Sequence, residues 1–209
     1  MTSPVPDALI RAAEELFAER GSERVSLREI VAASGATNAS AVQYHFGDRR
    51  GLVRAILAKH EPAIHAHRNA MLDAYEADHV GDVRELARAL VVPLARELDN
   101  ADGGLGYLQL VADLYNRPNP TFDARLLDGP GDPGDSIHRW RALVVPVLTP
   151  EAVRLHRRFD ALRFTVSELA RRGHSGREDH RRFTSQLIDL VAALLQAPVS
   201  DETRRLFGD

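Results

Sequence analysis

Apolar residues recur at three- and four-residue intervals through nearly the whole chain, and each such stretch ends at a glycine, a proline or a capping residue. A stripe at that spacing stays on one face only if the backbone winds at about 3.6 residues per turn; a strand would send its members to alternate faces. No segment alternates apolar and polar residues as a half-buried strand requires. The expected fold class is all-α.

From Pro6 onward, Leu9, Ala13, Leu16 and Phe17 form the first stripe, with Arg11, Glu14, Glu15 and Arg20 around the other side and Gly21 as the stop. Ser26-Leu27-Arg28-Glu29 has the form of a capping box, in which a hydroxyl and a carboxylate satisfy amides at a helix start. Leu27, Ile30 and Val31 give that second helix its buried side, and Gly35 suits its left-handed terminus. A third short helix follows, capped by Asn38 or, since Ser40-Ala41-Val42-Gln43 also fits a capping box, by Ser40. Val42 and Phe46 lie four apart and face inward, which leaves Ala39, Ser40, Gln43 and Tyr44 outside. Asp48 should cap a fourth helix through Leu52, Val53, Ile56 and Leu57 that kinks or ends at Pro62. Two short helices joined by a tight glycine-containing turn make a helix-turn-helix unit.

A helix offering small and amide side chains fits the major groove, where alanine and serine permit close approach and a glutamine can pair with adenine through two hydrogen bonds. Residues 1–48 hold four basic and seven acidic side chains, whereas Arg49, Arg50, Arg54 and Lys59 follow with no acid before Glu61. Cations at a helix start are mildly unfavourable, so Arg49 and Arg50 there make sense beside a phosphate. With a net charge of −3, any affinity for nucleic acid must come from this local arrangement.

The run Ser26-Leu27-Arg28-Glu29-Ile30-Val31-Ala32-Ala33-Ser34-Gly35, then Tyr44-His45-Phe46, two spacers, Arg49 and Leu52-Val53, closely resembles the amino-terminal domain of the TetR family of bacterial transcriptional regulators. The resemblance covers about residues 7–57. It implies an all-helical homodimer whose variable carboxy-terminal domain binds a small effector and dimerises through its last two long helices, here about 150–173 and 177–197. It makes residues 38–46 the recognition helix, sets Tyr44 and His45 against the DNA backbone, and gives Arg49 the phosphate clamp. Two departures stand out. The turn Gly35-Ala36-Thr37 is one residue longer than the common form, and Ala39 replaces a frequent basic residue, which shifts base reading towards Ser40 and Gln43. The expected DNA-binding set is Thr37, Asn38, Ala39, Ser40, Gln43, Tyr44, His45, Arg49 and Arg50.

The division expected is a DNA-binding head over residues 1–57 and a larger helical bundle over 58–209. In the bundle, Asp82 should start a helix bent near Pro93, Leu105 to Tyr115 form another, Pro118 to Asp135 a loop, and Ser136 to Leu148 a short helix around Trp140. Thr149-Pro150 reads as a cap with proline at the first helical position. Bundle pockets are lined mostly by apolar and aromatic side chains. Met71, Tyr75, Tyr107, Tyr115, Phe122, Trp140, Phe159 and Phe164 are the candidates here, and as a group they favour an apolar or aromatic effector.

Other constellations carry less. His60 and His65 are five apart, about 140° round a helix, which breaks the zinc-protease pattern, so surface histidines are the expectation. Asp102-Gly103-Gly104-Leu105-Gly106 lacks a preceding strand and a P-loop lysine and reads as a turn. No metal site, cofactor or catalytic set is expected. With no cysteine, no apolar run long enough for a bilayer and no secretory signal in residues 1–7, a cytoplasmic protein is expected. The function expected is that of a repressor released from a palindromic operator by a small effector; the alternative is a helical small-molecule-binding protein or adaptor without operator binding.

Overall fold

A computed structural model describes residues 4–117 and 135–206. Eleven α-helices and no strand occur among these residues: α1 (Pro4–Arg20), α2 (Leu27–Ala33), α3 (Ala41–Phe46), α4 (Arg49–Asp78), α5 (Val83–Ala95), α6 (Gly104–Tyr115), α7 (Ser136–Val144), α8 (Pro150–Arg154), α9 (Arg157–Gly173), α10 (Arg181–Gln196) and α11 (Asp201–Leu206). No helix among them is long and apolar enough to cross a membrane.

Local chemistry sets most of the starts. The Ser26 hydroxyl accepts from the Glu29 amide at 3.3 Å while the Glu29 carboxylate accepts from the Ser26 amide at 2.8 Å, which closes the capping box of α2. Those hydrogen bonds from Ser26, with Arg20 adding to them, hold the Glu29 carboxyl down at about 2. Asp48 caps α4 through the Gly51 amide at 2.8 Å, Asp82 caps α5, Asp135 caps α7 and Thr149 caps α8. Each cap is a short polar side chain receiving amides that the helix itself leaves unpaired.

Three boundaries differ from the sequence expectation. Helix α3 starts at Ala41, not Asn38; Ser40 holds the cap position without a side-chain bond, and the Asn38 carboxamide instead folds back to accept from the Ser40 amide at 2.9 Å. Helix α4 runs unbroken through Pro62. Proline removes one helical hydrogen bond, but Pro62 and Ala58, whose carbonyl loses its partner, are both exposed, so that carbonyl is not stranded in the core. Buried Leu57, Ile64 and Leu72 hold the helix down on either side. The helix expected from Pro150 to Gly173 breaks at His156, which takes a positive φ of 55° and divides α8 from α9.

One continuous hydrophobic core joins both parts of the chain. Phe17 of α1, Ile30 of α2 and Leu52 and Ile56 of α4 belong to the same cluster as Leu86, Leu90, Leu108 and Trp140. The most extensive contacts of α1 are with α6, and those of α10 are with α5. At Gly106 the backbones of α1 and α6 come so close that a Cβ would lie 2.2 Å from the carbonyl oxygen of Glu14. The glycine run read as a turn is therefore a docking seat, with Gly104 and Gly106 inside the first turn of α6.

Candidate functional site

Helices α2 and α3 hold the outer face of the head. Ala41 and Val42 are buried and anchor α3, Phe46 packs partly behind them, and this leaves Gln43 and Tyr44 exposed, Tyr44 at 81%. Thr37, Asn38, Ala39 and Ser40 lie exposed on the turn that leads into the helix. The Tyr44 and His45 rings meet edge to face with centroids 4.9 Å apart, which restrains two flat polar groups beside the helix. Among the expected residues, Thr37 to Ser40, Gln43, Tyr44 and Arg50 are exposed and His45 is partly so.

Arg49, expected as the phosphate clamp, is partly buried. Its guanidinium turns inward, donating to the Val25 carbonyl at 2.7 Å and to the Ser22 carbonyl, and it lies 5.7 Å from the Phe17 ring centroid. Burial lowers its pKa, though charge from Glu23 works against that. The two carbonyls belong to the link between α1 and α2, so Arg49 ties that link to the start of α4. The same link is held to α6 by Asp113, which accepts from the Ser22 amide at 2.7 Å and from its hydroxyl at 2.6 Å. Lys59 is also drawn inward, 2.8 Å from both Glu14 and Asp102.

Beneath the head, α1, α4 and the segment before α6 meet around His60. Contrary to the expected surface histidine, it is only 3% exposed. Its Nε2 lies 2.9 Å from Glu14 of α1 and its Nδ1 2.8 Å from Glu97, and the Tyr107 ring stacks on it with centroids 4.7 Å apart. Burial alone pushes the imidazole's pKa down; hydrogen bonds and charge from Glu14 and Glu97 outweigh it and hold His60 up to about 9. A protonated His60 therefore bridges two buried carboxylates across the junction between head and bundle.

Tyr107 also lines a cavity of about 40 Å³. Its walls are Glu61, Ile64, His65 and Arg68 of α4, Leu94 of α5, Tyr107, Val111 and Tyr115 of α6, Ile137 of α7, and Leu162 and Val166 of α9. Of the expected effector residues, only Tyr107 and Tyr115 line it. Trp140 is fully buried elsewhere, donating its indole N–H to the Leu86 carbonyl at 2.8 Å, and the Tyr75 hydroxyl accepts from the Gly81 amide at 2.9 Å. Met71 and Phe159 pack against the core outside the cavity, Phe164 faces a separate cleft beside Leu194, and Phe122 lies outside the described residues. A larger cleft between α5 and α10, about 570 Å³, is open to solvent and lined by Arg84, Arg88 and Arg96 opposite Glu178 and Asp179.

The polar wall of the cavity was missed in sequence. Glu61, Ile64, His65 and Arg68 stand at the i, i+3, i+4, i+7 spacing of a buried stripe, and charged residues at such positions were the available signal. Arg68 is 3% exposed, donating from Nε to the Ala89 carbonyl at 3.2 Å and from Nη1 to the Ser136 hydroxyl at 3.0 Å. Ser136 in turn lies 2.8 Å from Nδ1 of His65. Burial, reinforced by the charge of Asp135, pushes the Glu61 carboxyl up to about 7 despite Arg68 nearby.

Residues 9–56 match the family described as bacterial regulatory proteins, tetR family. Over this segment the chain is similar to the tetR family. The match takes in most of α1, all of α2 and α3 and the first turns of α4, so the exposed face described above lies within the matched segment. The chain is 31% identical over 88 residues to HTH-type transcriptional repressor BepR of Brucella suis, spanning 42% of this chain and 40% of that one. It is 35% identical over 131 residues to HTH-type transcriptional repressor Rv3405c of Mycobacterium tuberculosis and to HTH-type transcriptional regulator Mb3439c of Mycobacterium bovis, spanning 58% of this chain and 63% of each relative. The matches thus take in less than two thirds of the length of these curated relatives.

Proposed function

We propose that this protein is a tetR-like transcriptional repressor that binds a near-palindromic operator as a homodimer and leaves it when a small molecule enters the bundle. The observation that carries the reading is the exposed row of Thr37, Asn38, Ala39, Ser40 and Gln43 on and before a helix whose other side is fixed by Ala41 and Val42. Gln43 and Ser40 read base edges, while Tyr44, His45, Arg50 and the first amides of α4 meet the sugar-phosphate strands. Arg49 supports them by fixing the α1–α2 link. Residues 1–57 serve as the head and 58–209 as the effector and dimer part, with α4 running through both. Helices α9 and α10 supply the dimer face, where Leu190 is 46% exposed and Phe164 and Leu194 are partly so.

The test is selection of bound fragments from random duplex DNA by the purified protein. The expected result is an enriched sequence with half-sites about one helical turn apart, ~34–36 Å, protected by a species of dimer mass. Failure to enrich any sequence at modest ionic strength would reject operator binding and leave a small-molecule-binding helical protein in its place.

A further inference from the structure

We infer that the cavity takes a carboxylate-bearing ligand with an apolar body, the carboxylate seated on Arg68 and Tyr107; this rests on the reading that the effector enters the bundle. The first ground is a buried cation without a contacting anion. No carboxylate lies within ion-pair distance of the Arg68 guanidinium among the described residues, and its two hydrogen bonds go to neutral oxygens, leaving Nη2 unspent. A guanidinium at this depth is costly unless paired, and its planar fork suits a carboxylate. The second ground is the Tyr107 hydroxyl, which belongs to a side chain 3% exposed and has no hydrogen-bond partner among the described residues. A buried hydroxyl without a partner is unfavourable, and a ligand oxygen on Arg68 would supply one.

The charged and titratable groups around the site favour an anion. Asp135 on α7 is committed to the amides of Ile137 and His138, at 3.0 and 3.4 Å. His65 is engaged at Nδ1 by the Ser136 amide at 3.2 Å and lies 2.8 Å from its hydroxyl. Tyr115 is a further lining residue, and Glu97 is engaged by His60 and Asn100. Glu61, close to neutral pH in its titration, offers a carboxylic proton to an anionic guest. The remaining walls, Ile64, Leu94, Val111, Ile137 and Leu162 among them, suit a hydrocarbon or aromatic body. At about 40 Å³ the cavity has room for little more than one water, whose share of liquid volume is about 30 Å³. Any such ligand must therefore part the walls, and Tyr107 is the wall that rests on His60.

Two matched series test this: benzoate, benzamide and benzylamine, and octanoate, octanamide and octylamine, each titrated into the full-length protein by calorimetry and by thermal shift. The acids should bind at least tenfold more tightly than their amides and amines, and Arg68→Met, checked for folding by circular dichroism, should lose at least tenfold in acid binding. If that variant does not fold, pH dependence in the wild type decides. An anion raises the Glu61 pKa further, so acid binding is strongest below about 7 and weakens by at most about tenfold per pH unit above it. Glu61→Gln should flatten that slope. Amides or amines binding as well as acids, an affinity that rises with pH, unchanged binding by a folded Arg68→Met, or no acid binding at about 1 mM would each overturn the inference. Operator retention assayed in parallel separates this failure from that of the repressor reading, because sequence-specific DNA binding does not depend on which ligand enters.

Discussion

His60→Ala should reveal how the head is fastened to the bundle. In the wild type the imidazole stands between Glu14, 1% exposed, and Glu97, 5% exposed, and is held protonated up to about 9. Its ordinary value of 6.5 is thus raised on folding, which corresponds to roughly 3 kcal/mol of stability. The sign follows from the direction. The contribution is fully present below about 6.5 and is lost as pH rises through about 9. Removing the ring leaves Glu14 and Glu97 buried with only Lys59 and Asn100 beside them, and stranding a buried charge costs roughly 3–5 kcal/mol. For a chain of this size that lowers the melting temperature at pH 7 by roughly 6–12 °C or more. Urea denaturation followed through the single tryptophan, Trp140, fully buried in the core, gives the stability of each protein at pH 6, 7, 8, 9 and 10. The wild-type advantage over His60→Ala should be largest at pH 6 and shrink steeply between pH 8 and 10. Taking the difference between the two proteins cancels titration of the other lysines and tyrosines. Parallel curves across that range would refute the protonated bridge, whatever their vertical separation.

Gln43→Ala should relax the preference at one base position of the selected operator by about 1–3 kcal/mol of discrimination, whereas Arg50→Ala should weaken all sequences alike and reduce the salt slope by about one; indistinguishable binding profiles would refute the division of roles. Arg49→Ala should lower stability by roughly 1.5–3 kcal/mol through the lost bonds to Ser22 and Val25, and Arg49→Lys should restore little, because an ammonium lacks the fork that spans two carbonyls. A change under about 0.5 kcal/mol in urea denaturation would show that the brace is dispensable. Gly106→Ala places a methyl 2.2 Å from backbone that cannot turn aside, so it should cost about 1–3 kcal/mol or more and loosen α1; an unchanged melting temperature would contradict the close approach.

The starts of α2, α4, α5 and α8 were legible because each rests on a cap and the amides within four residues of it. Ser26 with Glu29, Asp48, Asp82 and Thr149 carry their own explanation in sequence. The exposed face of α3 was legible for a similar reason, since Ala41, Val42 and Phe46 fix which side goes inward. What escaped depended on distant partners. Pro62 promises a bend, but the buried residues on both sides of it keep α4 whole. Arg49 looks like a surface cation until the carbonyls of Ser22 and Val25, more than twenty residues earlier, are brought beneath it. Aromatic residues are the pocket to expect because pockets are commonly aromatic, yet Trp140 and Tyr75 have packing and hydrogen-bond roles of their own.

The largest miss bears most directly on function. His60, Glu61 and Arg68 occupy positions where the stripe of α4 calls for apolar side chains, and Glu14 is buried although it lies off the apolar stripe of α1. Charged groups in a core weaken it unless each finds a partner, so a natural sequence that keeps them there departs from its own local rules for a reason found elsewhere in the molecule. Glu14 and His60 find theirs in each other and in Glu97. Arg68 and the Tyr107 hydroxyl remain incompletely served. Tyr107 belongs to both groups: one face of its ring lies on His60 and its side chain walls the cavity. A guest that satisfies Arg68 and pushes on Tyr107 therefore presses on the bridge that holds Glu14, and Glu14 lies on the helix against which α2 and α3 are packed. If the proposed function holds, this ring and imidazole are the route from effector to head, and His60→Ala should blunt ligand-induced operator release as well as lower stability.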